Sequence, residues 1–343
     1  MEKLFNPDYL IHLCQKYGLQ PSKQYGQNFL INPEPIEKML EAGEAGAEDI
    51  VVEIGPGFGV LTLALAEKVK KVIAFEIEKR LMPYWDSLGC HSESPGGGEE
   101  SLSGVRRIEI SRCTRNDKRG EIKIIWGNVL RISKSQFPIS KYKVIANLPY
   151  QITSAAIRLF LEIDNPPETM ILMVQKEVAE RICASPGEMS VLAVSVQYYA
   201  KPEIIAQVPR ADFWPQPKVD SAVIKITIKK QEMSSRVERS GIEGSLPPTL
   251  RDSSASSLRD SAQNDRTNRS DQTEEFFKLV KIGFANRRKM LLKNLEPIWG
   301  KKNKESLRQI FAKIGLSEKA RAQELSVEQW TELSTYLPGE IVV

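Results

Sequence analysis

The chain has 343 residues, 41% of them hydrophobic, which is enough to bury one large core or two of ordinary size and excludes an intrinsically disordered protein. A formal charge of +4 and a pI near 8.7 are only mildly basic, so a polyanion site has to come from local clustering of charge. Four cysteines without a Cys-x-x-Cys pair and only two histidines, His12 and His91, argue against zinc, a disulfide framework and histidine catalysis.

The opening residues MEKLFNPDYLIHLC lack the pattern of a signal peptide, and no run of about 18 apolar residues follows anywhere. A soluble cytoplasmic protein, with neither membrane nor metal as partner, is the expectation. Apolar β-rich runs then recur at 50–54, 72–77, 122–126, 144–146, 170–174 and 222–228, with helix-like stretches at 61–69 and 154–163 between them. This alternation predicts an α/β fold, a parallel sheet with helices on both faces.

In DIVVEIGPGFGVLTLALAEKVKKVIAFEIEKRL, Gly55, Gly57 and Gly59 form a turn between a strand and a helix, where a ligand can approach the backbone. Glu76 follows Gly55 by about the 20 residues expected of an acid that holds ribose hydroxyls. A dinucleotide wants a further glycine where this chain has Val60, whereas S-adenosylmethionine has no pyrophosphate and tolerates the bulk. Glu53, just before the glycines, reads as a brace for loop amides and a lesser cofactor candidate. Asn128 in IIWGNVLRI stands at the next strand end, where a side chain meets an adenine edge; alone, Gly127-Asn128 is an ordinary turn.

KVIANLPYQITSAAI ends a strand on Asn147, Leu148, Pro149 and Tyr150, at the edge where open α/β sheets keep their ligands. An aromatic amine is a poor nucleophile with two N–H groups to satisfy. The Asn147 carboxamide oxygen and the Leu148 carbonyl, fixed by Pro149, are suited to accept from both, and Tyr150 to stack on the flat base.

Two segments, 86–120 and 231–275, contain no Phe, Trp or Tyr and read as disordered inserts. They set the domain boundaries: 1–230 for the cofactor-binding domain and 276–343 for a small helical domain. In FFKLVKIGFANRRKMLLKNL (276–295), six basic residues, among them Arg287, Arg288 and Lys289, occur on helical spacing without one acid, which points to a polyanion-facing surface.

On these motifs the chain resembles the ribosomal RNA adenine N6,N6-dimethyltransferases, most closely the bacterial small-subunit type, over about residues 20–230 and 274–335. The resemblance implies a Rossmann-like class I methyltransferase sheet with a helical C-terminal domain that works on RNA. It implies S-adenosylmethionine as cofactor, held by Asn28 and Leu30 of QNFLINPEPIEKML and by Gly55, Glu76, Asn128 and Asn147. Asn147 is implied as the catalytic asparagine, Phe213 of FWPQPKVDSAVIKI as a residue closing over the target base, and 16S rRNA of an immature small subunit as the partner of a monomer. The family usually has Asp where this chain has Asn128. A large-subunit rRNA methyltransferase, a protein glutamine methyltransferase and a non-catalytic assembly factor are the alternatives.

Overall fold

The computed structural model describes residues 2–21, 28–93, 109–113, 120–132, 139, 141–229, 272–300 and 304–337, with the backbone alone described at 90–93 and 109–113. The chain divides into two compact units, Met1–Cys183 with Val196–Ile228, and Ala184–Ser195 with Lys229–Val343. Residues 184–195, which sequence reasoning grouped with the first domain, thus go with the second. Their backbone explains it: the N–H groups of Gly187 and Met189 donate to the carbonyl of Gln323 at 2.8 and 3.1 Å.

The first unit begins with a 3-10 turn and α1 (Pro7–Lys16), whose cap Asn6 accepts from the N–H groups of Asp8 and Tyr9. In chain order follow β1 (Phe29–Leu30), α2 (Glu34–Ala42), β2 (Ile50–Ile54), α3 (Val60–Ala66), β3 (Lys71–Glu76), α4 (Met82–Ser87), β4 (Cys90–Glu93), β5 (Glu109–Cys113) and β6 (Glu121–Trp126). Then come β7 (Lys143–Asn147), α5 (Thr153–Glu162), β8 (Thr169–Gln175), α6 (Lys176–Ile182), α7 (Val191–Tyr199, which spans the boundary of the two units), β9 (Ala200–Val208), β10 (Phe213–Trp214) and β11 (Ser221–Ile228).

Nine strands form one sheet in the order β4-β5-β6-β3-β2-β7-β8-β11-β9. The middle five are parallel, and β11 and β9 close one edge antiparallel. Both faces are dry. Val51, Val72, Ala74, Ile145, Ile171 and Met173 join α1, α2 and α3 in one hydrophobic cluster, while their neighbours Val52, Ile73, Phe75, Val144, Ala146 and Leu172 are buried on the opposite face. This two-sided burial is why these strands read as unbroken apolar runs. β2 lies between β3 and β7, so the chain turns to opposite sides of β2, and the crevice at that switch point is where such sheets bind ligands.

Two expectations need correction. Segment 86–120 was read as structureless, yet residues 82–87 complete α4, and β4 and β5 extend the sheet antiparallel beyond β6. Backbone pairing to an open sheet edge needs no aromatic core, which is why composition missed it; residues 94–108 and 114–119 lie outside the described residues. The edge strand β9 was also missed, because Lys201, Pro202, Glu203 and Gln207 interrupt its apolar residues and leave no unbroken run.

A second short pairing joins distant segments. β1 pairs antiparallel with β10, Phe29 opposite Trp214 and Leu30 opposite Phe213, and the N–H of Ile31 donates to the carbonyl of Asp212 at 2.8 Å.

The second unit contains α8 (272–283), α9 (Leu291–Trp299), α10 (Lys304–Lys313) and α11 (Val327–Ser334). Residues 272–275, assigned by sequence to an insert, start α8; 231–271 lie outside the described residues. α11 opens with a capping box between Ser326 and Gln329. Trp330 is fully buried against Phe284, ring centroids 5.7 Å apart. The continuous helical spacing of 276–295 is interrupted after Gly283, where the buried Asn294 amide donates to the carbonyls of Gly283 and Asn286 at 2.6 and 3.2 Å. Arg287, Arg288 and Lys289 therefore sit on an exposed turn, not on a helix.

Candidate active site

The carboxyl ends of β2, β3, β6 and β7 surround a cavity of about 280 Å³. Asn28, Leu30, Gly55, Glu76, Asn128 and Asn147, all selected from sequence, line it together with Pro149. Leu148 is buried behind the turn, its N–H donating to the carbonyl of Met173 at 3.1 Å. Tyr150 is half-buried beside it and is not part of the lining.

The glycine loop is held from several sides. Gly55, Gly57 and Gly59 all have positive φ, +72°, +56° and +83°, which L side chains rarely adopt. The Gly55 N–H donates to the Phe75 carbonyl at 2.9 Å, and a side chain at Gly55 would touch the Pro149 ring. From behind, the Trp85 indole donates to the Gly57 carbonyl at 3.1 Å and the Tyr84 hydroxyl to the Phe58 carbonyl at 2.7 Å. Tyr84 and Trp85 were missed from sequence. They lie on a short helix beside an unpromising segment, and nothing local marks an indole that braces a loop 28 residues earlier.

Glu76 accepts three backbone N–H groups, from Gly57 at 3.1 Å and from Ile77 and Glu78 at 2.8 Å. Burial raises its pKa, and these three donors oppose the rise. A carboxylate has roughly four acceptor sites, so about one remains on Oε2 for a ligand.

Glu53 does not brace the loop as expected, since Phe75 and Glu76 take the Gly55 and Gly57 amides. It is 2% exposed, lines the cavity, and its Oε2 has no hydrogen-bond partner. Asn128 caps the 3-10 turn Val129–Arg131, its Oδ1 accepting the Leu130 N–H at 3.0 Å. The amide NH2 is left as its free polar group.

At the end of β7 the half-buried Asn147 carboxamide has no partner among the described residues. Pro149 follows at φ −56° and ψ 127°. The Tyr150 hydroxyl shares a hydrogen bond of 2.8 Å with Ser221 Oγ on β11. Burial raises the Tyr150 pKa, Ser221 opposing and Asp220 adding to it, so the phenol stays protonated at neutral pH.

Phe213 departs from expectation. It is 3% exposed and packed into the core cluster, because alternation along β10 turns it inward and leaves Trp214, stacked 6.2 Å from Phe29, half-exposed. Arg287, Arg288 and Lys289 belong to the other unit and are described with it above. Among the described residues no cluster of three or more potential ligands fit to hold a metal occurs, and no helix is long and apolar enough to cross a membrane.

The cavity's features fit an adenosine-bearing cation: a buried carboxyl oxygen without a partner, a second carboxylate with acceptor capacity left, and a glycine cradle. Comparisons with known proteins agree. A structure of the 23S rRNA methyltransferase ErmE superposes with a TM-score of 0.60 at 22% identity, covering 91% of this chain and 100% of that one, a likeness of fold. Ribosomal RNA small subunit methyltransferase A of Alkaliphilus metalliredigens is 31% identical over 97% of this chain and 98% of its own length. That of Clostridioides difficile is 32% identical over 99% of each. The profile described as Ribosomal RNA adenine dimethylase matches residues 18–89 and 109–240 and leaves out 90–108. With more than half of the chain matched by that profile, and with relatives similar along its whole length, this protein belongs to the ribosomal RNA adenine dimethylase family.

Proposed function

We propose that the protein transfers methyl groups from S-adenosylmethionine to the N6 amines of two adjacent adenosines near the 3′ end of 16S rRNA, acting as a cytoplasmic monomer on immature small subunits. The carrying observation is the Asn147 carboxamide at the end of β7, without a partner among the described residues and on the same cavity as the glycine loop and Glu76. Bound S-adenosylmethionine supplies an electrophilic methyl group on a sulfonium. Glu76 takes the ribose hydroxyls, Gly55 lets the backbone approach, Asn28 and Leu30 close one wall, and Asn128 faces the adenine.

Asn147 Oδ1 and the Leu148 carbonyl accept the two N–H groups of the target amine, favouring a pyramidal nitrogen with its lone pair directed at the methyl carbon. Pro149 fixes the spacing of the two acceptors. Tyr150 stacks on the base, and its bond to Ser221 sets the plane of the ring. Its raised pKa leaves the proton in place, so the ring and not a phenolate does the work. The proton displaced from the amine after methylation leaves to solvent.

Incubation with labelled S-adenosylmethionine and unmethylated small subunits, followed by mapping of the modified nucleotides, tests this. Label in two neighbouring adenosines of 16S rRNA supports it; label only in 23S rRNA, only in protein glutamine, or nowhere assigns one of the other readings.

Arg287, Arg288 and Lys289 meet RNA phosphates from their exposed turn. Replacing all three with Gln is expected to weaken subunit binding and to shrink the slope of log K against log salt by about 2, at roughly 0.7 per contact with single strands. Filter binding across a salt series measures it, and an unchanged slope removes this surface from the interface.

Asn128→Asp is expected to tighten S-adenosylmethionine binding by up to about tenfold, or about 1.4 kcal/mol. One Asp oxygen replaces Oδ1 on the Leu130 N–H, and the other offers an acceptor to the adenine amine where Asn offers only a donor. Burial of the carboxylate offsets part of the gain. Calorimetric titration of both proteins decides it, and weaker binding by the Asp variant sinks the idea.

A further inference from the structure

We propose that Cys90 and Cys113 form a reversible redox pair, closed to a disulfide across the β4–β5 strand pair by a low-molecular-weight disulfide of the glutathione type. Nothing in this depends on the cofactor site or on methyl transfer. In the first step one thiolate attacks the oxidant RS–SR, so that an S–S bond to the protein forms and RS⁻ leaves. In the second the other thiolate attacks that mixed disulfide, which closes the protein bond and releases a second RS⁻. The two thiol protons end on the two RS⁻ groups: the protein loses two electrons and the oxidant is reduced to two RSH.

Backbone register carries the proposal. β4 and β5 pair antiparallel, with Cys90 opposite Cys113, His91 opposite Arg112, Ser92 opposite Ser111 and Glu93 opposite Ile110. Residues directly opposite in an antiparallel pair have Cα atoms roughly 4.5–5.5 Å apart, and a disulfide spans Cα distances of about 4.4–6.8 Å. The register therefore suits a bond in either of the two alternating kinds of pair. Cβ atoms need a closer approach, ~3.5–4.5 Å in a disulfide against ~4.5–5.5 Å in an open pair. β4 can supply it, because it is the outermost strand of the sheet and has β5 as its one strand neighbour among the described residues. Without a Cys-x-x-Cys motif, chain spacing gives no hint of this meeting.

A metal does not fit the pair. Side chains alternate along a strand, so the face that holds Cys90 and Cys113 holds Ser92 and Ser111 next, and His91 falls on the other face, opposite Arg112. Two thiols and two hydroxyls are a poor set for zinc, which takes thiolate, imidazole or carboxylate ligands. The other two cysteines compete poorly for the oxidant. Cys14 is buried and Cys183 half-buried; burial pushes both thiols up to about 11, with Glu203 adding at Cys183, which leaves little thiolate at neutral pH. Where the bond closes, it fixes the chain just beyond α4, the helix whose Tyr84 and Trp85 hold the glycine loop.

The full-length protein, incubated at neutral pH with mixtures of reduced and oxidised glutathione, is alkylated, digested with trypsin without reduction and mapped by mass spectrometry. Trypsin cuts after Arg106 and Arg107 and so places the two cysteines on separate peptides. Oxidising mixtures are expected to give a peptide pair joined through Cys90 and Cys113. It should be at least about tenfold more abundant than glutathione adducts of either residue, since a partner held across a strand pair outcompetes millimolar free thiol. Cys14 and Cys183 should stay alkylated, and a reductant should return all four thiols. Adducts without the link, a link to Cys14 or Cys183, or a link between two copies of the chain overturns the proposal.

A shifted thiol separates register from nearness in the chain. Cys113→Ser combined with Arg112→Cys hardly alters the loop back to Cys90 but moves the thiol to the opposite face of the sheet. The link should be lost in that variant, and one as abundant as in the wild type overturns the proposal. If the variant does not fold, the wild-type peptide map decides alone.

Discussion

Asn147→Ala is expected to slow methyl transfer by about 10²–10³-fold, the usual cost of removing one preorganised polar group from a reacting centre, while subunit affinity stays within about twofold because phosphate contacts dominate it. In the free protein the Asn147 carboxamide makes no bond among the described residues, so its removal orphans nothing and should leave the fold intact. Asn147→Asp keeps an acceptor at the same place and should fall between the two. Single-turnover transfer to unmethylated subunits, beside filter binding, separates chemistry from association. A near-normal rate for the Ala variant would eliminate amine positioning by this residue.

Gly59→Ala is the second change with a large expected effect, and Gly89→Ala is its control. Both glycines have φ +83°, so both substitutions incur the strain of a left-handed alanine, about 1–2 kcal/mol. At Gly89 an added Cβ meets nothing within 4 Å, whereas at Gly59 it falls 2.6 Å from Trp85 Cη2. Trp85 is fully buried and tied to the Gly57 carbonyl, so it has nowhere to retreat. Overpacking adds about 1–3 kcal/mol, and the displaced indole loosens the loop that cradles the cofactor. Gly59→Ala should therefore lose clearly more thermal stability than Gly89→Ala, and S-adenosylmethionine affinity with it. Equal losses would mean that Trp85 does not back the loop.

Much of the fold was legible because buried parallel strands show continuous apolar runs, and the site because its residues follow strand ends. Gly55, Glu76, Asn128 and Asn147 each come directly after or at the end of such a run, and all four line one cavity. What stayed hidden depends on partners distant in the chain. Asn128 spends its oxygen on the Leu130 N–H, Trp85 supports a loop from another element, and β9 is an edge strand whose Lys201, Pro202, Glu203 and Gln207 break its apolar run. Phe213, which the resemblance implies to close over the target base, is turned into the core by its pairing opposite Leu30, a long-range contact that no local pattern reveals. The break after Gly283 was invisible for a similar reason, since Asn294 makes it from beyond the turn.

The pairing of β1 with β10 ties the cofactor's wall to the start of FWPQPK. Leu30 lines the cavity, and Phe29 stands close enough to Gly57 that an added Cβ there would come within 3.3 Å of its ring. A molecule filling the cavity steadies this side, and backbone bonds across the ribbon steady the other. Separating either strand would leave backbone donors of its partner without acceptors, so the two segments hold each other in place. A substitution that breaks the ribbon on either strand is therefore expected to be felt both at Leu30 in the cavity and at the start of FWPQPK.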